Sequence, residues 1–295
     1  MELLHFDGPV WRPPFEATSQ LLQVTAGCTH HRCKFCSLYG EQPFRMSPLE
    51  EIEEDLKVIQ QYQPRAHRVF LTGANPMALS YGRLVDIALL VRKYLRAGHP
   101  TIGCFARVTD ISHKSVEELR DLRHLGFDYI SIGTESGDDE TLRRMNKGYV
   151  SADIIAQCDK LDEAGIRYNL TYLAGLAGHC NGERNALRTA EVYSHVHPAS
   201  INVVSLTLFP DTELYAEMQR GEYVVATEHE RLDELMTLVT HLRCRTQLIG
   251  NTVSNPVIFT GFLPDDRDLL LQNLLDAKGQ SEEDLQSYRE GIKSL

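Results

Sequence analysis

Cys28, Cys33 and Cys36 fall within one polar stretch, AGCTHHRCKFCSLYG, at C-x4-C-x2-C spacing. Three thiols so close together make a poor hydrophobic core and a good metal site, because the thiolate is a strong metal ligand. Three thiolates can hold a four-iron cluster through three of its irons and leave the fourth open to an outside ligand. They can equally hold zinc if His30, His31 or His179 completes a Cys3His set. A third reading, thiols that are buried or incidental, needs no metal at all. Spacing alone leaves all three readings open. Cys104, Cys158, Cys180 and Cys244 lie far apart and make no second set. Cys158, inside the amphipathic DIIAQCDKLDEAG, reads as helix packing, whereas Cys180 follows AGLAGH just beyond a predicted strand.

These residues need elements to position them, and apolar β-branched runs alternate with helical patterns along most of the chain. LLQVTAG (21–27) precedes SPLEEIEEDLKVIQQYQ (47–63), in which Ser47 and Glu50 have capping-box spacing. RVFLTG, TIGCFAR, DYISIGTESG, IRYNLTYLAG and INVVSLTLFP then alternate with further helical stretches. Six strands with helices between them predict an α/β fold of parallel strands joined by right-handed crossovers. Ala97-Gly98, Leu125-Gly126 and Ala164-Gly165 read as helix C-caps leading into the next strand. An open doubly wound sheet and a full or partial barrel share this rhythm, and in both the chemistry gathers at the C-terminal ends of the strands. The polar motifs fall there: GCTHHRCKFC, TGANP (72–76), GTESG (133–137) and AGLAG. The rhythm stops near residue 215, which predicts a unit of 1–215 and a mostly helical C-terminal extension of 216–295.

With 30 basic and 41 acidic side chains the net charge is −11, which argues against a broad electrostatic grip on nucleic acid. No apolar run approaches the ~18 residues of a membrane span, and no basic region precedes an apolar stretch at the N-terminus. A cytoplasmic protein with reduced thiols is expected.

The cysteine loop, with Phe35 just before its last cysteine, resembles the cluster loop of the radical S-adenosylmethionine (SAM) superfamily, and the later motifs fall in that family's order. The resemblance spans residues 20–215 and is nearest to the subgroup of anaerobic coproporphyrinogen oxidases and methylthiotransferases. The commonest family spacing is C-x3-C-x2-C. This chain has one residue more between Cys28 and Cys33, an insertion that a loop can absorb. The resemblance implies a partial (β/α)6 barrel with a 4Fe–4S cluster on Cys28, Cys33 and Cys36 and SAM on the open iron. TGANP stands where relatives carry a Gly-Gly-Glu-Pro-like loop that receives the methionine ammonium of SAM. Gly73 matches it, but Ala74 and Asn75 replace the second Gly and the Glu, so the Asn75 amide oxygen or a main-chain carbonyl is expected to substitute. Glu135 resembles the polar residue on the fourth strand that contacts SAM, and Lys147 a cation near its carboxylate. NLTYLAGLAG (169–178) resembles the fifth-strand segment beside the adenine and ribose, with Thr171 the expected polar contact, and LFPDTELY (208–215) resembles the end of the sixth strand, where the main chain around Phe209 and Pro210 would flank the adenine.

What the resemblance implies chemically is passage of one electron from a flavodoxin or ferredoxin into SAM, giving methionine and a 5′-deoxyadenosyl radical that abstracts hydrogen from the substrate. With no cobalamin-binding, cysteine-rich or RNA-binding extension evident, a small-molecule substrate is expected. The stretch GNTVSNPVIFTGFLP (250–264) reads as irregular and as a lid, with Asn251, Ser254 and Asn255 reaching substrate and Phe259 and Phe262 excluding water. Tyr168, Asn169, Tyr172, Asn202 and Ser205 on the late strands read either as substrate contacts or as satisfied polar core. Two other classes stay open: a zinc-stabilised barrel that binds without chemistry, and an iron–sulfur protein that senses or transfers electrons.

Overall fold

The structure, a computed structural model, describes residues 4–8, 10–40, 42–95 and 98–292. Ala97, named above in a C-cap, lies outside them. A short turn at Pro14–Glu16 leads into β1 (Gln20–Gln23) and β2 (Thr25–Ala26), followed by β3 (Arg45–Met46), α1 (Leu49–Tyr62), β4 (Arg68–Thr72) and α2 (Tyr81–Tyr94). Next come β5 (Thr101–Ala106), α3 (Val108–Ser112), α4 (Val116–Leu125), β6 (Phe127–Glu135), α5 (Asp139–Arg144), α6 (Ser151–Ala164) and β7 (Arg167–Ala174). The chain continues through α7 (Gly182–Tyr193), β8 (Ser200–Ser205), α8 (Glu213–Gln219), α9 (Glu228–His241), β9 (Thr246–Gly250), β10 (Phe259–Leu263), α10 (Arg267–Lys278) and α11 (Glu282–Glu290). Eight strands form one sheet in the order β1-β4-β5-β6-β7-β8-β9-β10, and β2 and β3 pair separately. Two compact units share the chain: Met1–His31, Leu38–Gly133 and Asp159–Tyr168 in the first, Arg32–Ser37, Thr134–Cys158 and Asn169–Leu295 in the second.

In the first unit β1, β4, β5 and β6 pair in parallel in that order. Val69, Phe70 and Leu71 of β4 are all fully buried, as expected of a parallel strand covered on both faces. Ile52, Leu56 and Ile59 of α1 and Leu84, Ile87 and Val91 of α2 recur at three and four and supply the buried helix stripes. Ser115 and Glu118 form a reciprocal capping box at α4, which ends at Gly126 with φ 123°. Ser47 does not cap α1. Pro48 occupies the N-cap position with no side-chain cap, so Glu50 lies one residue short of the N3 place a capping box requires. Arg68 ties the lead-in to the strands: Nε and Nη2 donate to Glu16 at 2.8 and 2.5 Å, and Nη1 donates to Asp128 at 2.5 Å.

In the second unit β7, β8 and β9 run parallel, and β10 pairs antiparallel to β9. The residues after 215 therefore contribute two strands as well as helices α8 to α11. Segment 250–264, read as irregular from sequence, holds the turn and second strand of this hairpin. Along β10 burial alternates from Phe259 to Leu263, the signature of a half-covered strand. Gly250 sits opposite Phe259, whose ring would lie 2.5 Å from a Cβ at that position. Ser254 and Asn255 are buried, and the Asn255 amide donates to the Val203 carbonyl at 2.8 Å. Asn255 thus anchors the turn to β8, while Phe262 is 55% exposed.

Replacing Arg68 by Leu strands the buried Glu16 carboxylate, a loss of about 3 kcal/mol for a broken buried pair. The denaturant midpoint of Arg68→Leu is expected to fall accordingly, with Arg68→Lys intermediate. A midpoint equal to wild type would show that Glu16 does not depend on this partner.

Candidate cofactor site

The cysteine loop leaves β2 and returns at β3, whose pairs Thr25↔Met46 and Ala26↔Arg45 clamp its stem. Gly27, with φ 66°, brings the two ends together, since a Cβ there would lie 2.5 Å from the carbonyl oxygens of Gln42 and Pro43. Cys28 is half-buried in this stem. Beside it β4 ends at Thr72 and the chain passes through Gly73, where φ is 114° and a Cβ would meet Thr25 Oγ1 at 2.0 Å. No side chain fits there. The Ala74 N–H then donates to the Gly27 carbonyl at 3.3 Å.

Asn75 is fully buried and its amide is engaged within the protein. Its Oδ1 accepts from the Thr29 N–H at 3.2 Å, and its Nδ2 donates to Thr29 Oγ1 at 2.5 Å and to both Asp110 carboxylate oxygens at 3.2 Å. Asp110 also accepts the Arg107 N–H at 2.7 Å, and burial pushes its carboxyl above the usual range. Asn75 thus ties the residue after Cys28 to α3.

In the second unit, residues 32–37 carry Cys33 and Cys36, half-buried and exposed respectively, and the Cys36 N–H donates to the Cys33 carbonyl at 3.2 Å. The Lys34 N–H donates to Met145 O at 3.2 Å, and the Lys34 carbonyl accepts the Leu214 N–H at 2.8 Å. The Lys34 ammonium pairs with Glu217 and, at 3.1 Å, with Glu213 of α8. Phe35 packs on the cluster of Met145, Leu173, Leu176, Leu206 and Leu214. The Lys147 ammonium lies 5.6 Å from the Phe35 ring centre, 5.7 Å from that of Tyr149 and 3.5 Å from Glu135 Oε1. Phe35, Glu135 and Lys147, named separately from sequence, are therefore brought together. Glu135 adopts φ 66°, a left-handed conformation that costs a non-glycine residue about 1–3 kcal/mol and marks a constrained site. Burial pushes its carboxyl up while Lys147 holds it down.

Thr171 is half-buried on β7, and its carbonyl accepts from Thr134 Oγ1 at 2.7 Å and Tyr193 OH at 3.0 Å. Phe209 is half-buried and Pro210 exposed. The Phe209 carbonyl accepts both the N–H and the hydroxyl of Thr212, the cap of α8. Tyr168 and Tyr172 are core residues whose hydroxyls go to Asp162 and Glu234. Asn169 is buried, and neither its amide nitrogen nor its oxygen has a hydrogen-bond partner among the described residues.

Sequence reasoning placed a helix here but missed the buried polar pair on α9. Glu234 is buried there and accepts the Gly175 N–H at 2.8 Å, Tyr172 OH at 2.5 Å and Asn185 Nδ2 at 2.8 Å. Arg231, also buried, donates to Leu206 O at 2.8 Å and Ala174 O at 3.5 Å. Together they fix the ends of β7 and β8. The available signal was two opposite charges interleaved with the apolar Leu232, Leu235 and Leu238 of one helix.

The Radical SAM superfamily model matches residues 22–189. The chain belongs to the radical SAM superfamily. Among curated relatives it is 23% identical over 199 residues to the heme chaperone HemW of Bacillus subtilis, covering 65% of this chain and 51% of that one. It is 24% identical over 249 residues to the threonylcarbamoyladenosine tRNA methylthiotransferase MtaB of Thermotoga maritima, covering 80% and 54%. The fold is shared with coproporphyrinogen III oxidase (HemN) of Escherichia coli, at TM-score 0.56 and 16% identity over 75% of this chain and 51% of that one. The chain spans about half the length of the curated relatives it matches. It is a radical SAM enzyme with the α/β partial-barrel fold, and membership brings the family's two cofactors, a 4Fe–4S cluster and SAM. Among the described residues no helix is long and apolar enough to cross a membrane.

Lys147→Ala would leave the largely enclosed Glu135 carboxylate, 15% exposed, without its cation. A carboxyl whose folded pKa is raised stabilises the fold most below its unfolded value and loses that contribution as pH rises. The variant is therefore expected to lose about 3 kcal/mol near pH 7–8 and much less near pH 5, by denaturation at both pH values. A pH-independent loss would show that the pair is not coupled.

Proposed function

We propose that this radical SAM enzyme holds its cluster on Cys28, Cys33 and Cys36, cleaves SAM reductively and acts on a small molecule. When bound, the two cofactors supply a 5′-deoxyadenosyl radical able to take hydrogen from an unreactive carbon of the substrate. The donor set fits the cluster. These three thiols are half-buried or exposed within nine residues of chain, whereas Cys104, Cys158 and Cys244 are buried, and burial pushes the Cys244 thiol up to about 11.

The single observation that carries the reading is the meeting of Lys147 with both Glu135 and the ring of Phe35, the neighbour of Cys36. A buried ammonium beside aromatic rings suits the SAM carboxylate, and Glu135 orients that ammonium while offering an acceptor of its own. Because the Asn75 amide is engaged with Thr29 and Asp110, the methionine ammonium falls to the main-chain carbonyls of Gly73 and Ala74. Thr171 and the main chain at Phe209 and Pro210 line the adenosine. Asn169 offers a buried amide to a bound molecule, since such a group is seldom left unpaired. A flavodoxin or ferredoxin in a reducing cytoplasm would be the electron donor. The net charge of −11 disfavours a nucleic-acid substrate.

Anaerobic reconstitution with iron and sulfide, then SAM and dithionite, is expected to release 5′-deoxyadenosine. Its absence from fully loaded protein would refute the reading. Cys28→Ala, Cys33→Ala and Cys36→Ala should each lose iron, whereas Cys104→Ala and Cys158→Ala should keep it. Glu135→Gln and Lys147→Met should retain iron and bind SAM about 10–100-fold more weakly by equilibrium dialysis, the loss of one charge-assisted contact. Unaltered SAM affinity in both would remove Glu135 and Lys147 from the pocket.

A further inference from the structure

The loop that follows β7 carries a second group of metal-ligating side chains with no part in the reading above. His179 and Cys180 are adjacent in sequence and exposed, and Glu230 projects from the first turn of α9. One ligand atom from each lies within 4.8 Å of the other two. We propose that His179, Cys180 and Glu230 form a separate site for one divalent transition-metal ion of zinc type.

Three features support it. The main chain of the loop is held by hydrogen bonds of its own: the His179 N–H donates to Val224 O at 2.9 Å and Asn181 Nδ2 to His179 O at 2.9 Å, while the Cys180 N–H reaches the Glu230 carboxylate itself, at Oε1, 2.9 Å away. The donors therefore hold their places before any ion arrives, which limits the ordering cost of binding. Glu230 is held still as well, because its Oε2 accepts the Thr227 N–H at 2.8 Å in the capping box of α9. Finally, Cys180 adopts φ 61°, which a non-glycine residue seldom takes up without a local constraint.

The chemistry of the set selects the ion. A thiolate with an imidazole suits zinc, whereas magnesium and calcium want oxygen donors. Three protein ligands and one water complete a four-coordinate zinc. Entry of the ion replaces the hydrogen bond between His179 Nδ1 and Glu230, now 2.9 Å, by a bond from each to the metal, and the proton leaves Nδ1 while solvent supplies one to Nε2, so the imidazole stays neutral. The Cys180 thiol gives its proton to solvent on coordination.

The test uses reconstituted holoprotein, so that the cysteine loop is filled with iron before zinc is added from a buffered solution. Wild type is expected to retain one zinc per chain after gel filtration, by elemental analysis. His179→Ala and Cys180→Ser should keep their iron and bind zinc more than about 100-fold more weakly, beyond the roughly 10–100-fold that loss of an outer-shell partner costs. Glu230→Gln, which can still cap α9, should also bind more weakly. In unsubstituted protein, the difference spectrum before and after Co2+ should show thiolate-to-cobalt charge transfer, which needs no variant to fold. No retained zinc, zinc retained equally by Cys180→Ser, or cobalt bands without a thiolate contribution would each overturn the proposal.

Discussion

A main-chain N–H or C=O buried without a partner costs about as much as a lost hydrogen bond, and the C-terminal ends of parallel strands expose such groups at the places where function requires irregular loops. The second unit meets this constraint with one pair of side chains. Arg231 takes the carbonyls of Ala174 and Leu206, and Glu234 takes the N–H of Gly175. Arg289 of α11 adds a second donor to Leu206 O at 3.2 Å. The loops after β7 and β8 thereby acquire fixed shapes without regular secondary structure. Asn75 performs the same service in the first unit, where its amide spans Thr29 and Asp110.

These ties share a chemical character. Each is a polar or charged side chain, buried, with several partners, and such a group specifies one arrangement because any other leaves it unsatisfied. The site needs a main chain held within fractions of an ångström more than it needs additional apolar area. Apolar packing surrounds the ties: Leu232, Leu235 and Leu238 of α9 are buried along with Arg231 and Glu234. Net negative charge elsewhere does not disturb them, since the buried cations Lys147 and Arg231 each face an acid of their own unit.

Much of this was legible in the sequence, for identifiable reasons. The cysteine spacing and the alternation of β-branched runs with amphipathic stretches are local signals, and the strands and helices lie where those signals put them. Glu135, Lys147 and Phe35 were named from motifs, but their meeting depends on tertiary structure that no spacing encodes. Ser47 was misread as a cap because Pro48 begins the helix one residue later than the capping-box spacing assumes. The hairpin of β9 and β10 was missed because Asn251, Asn255 and Pro256 dominate the stretch between its strands, while the alternation that marks β10 covers only five residues. The roles of Asn75 and Glu234 were invisible for a different reason. A buried polar residue announces itself in sequence only as an exception to an apolar pattern, and its partners lie far along the chain.

That distance matters while the chain is being made. The tip of the cysteine loop is fastened through Lys34 to Leu214 and Glu217, and the latter pair is separated by 183 residues of sequence. At about 5–20 residues per second, the ribosome needs about 10–40 s after placing Lys34 to deliver the residues that hold it. For that interval Cys33 and Cys36 belong to a nascent segment whose tertiary anchors do not yet exist. Iron delivered before α8 emerges would meet an unorganised pair of thiols, so translation itself sets the earliest moment at which this loop can present a finished donor set.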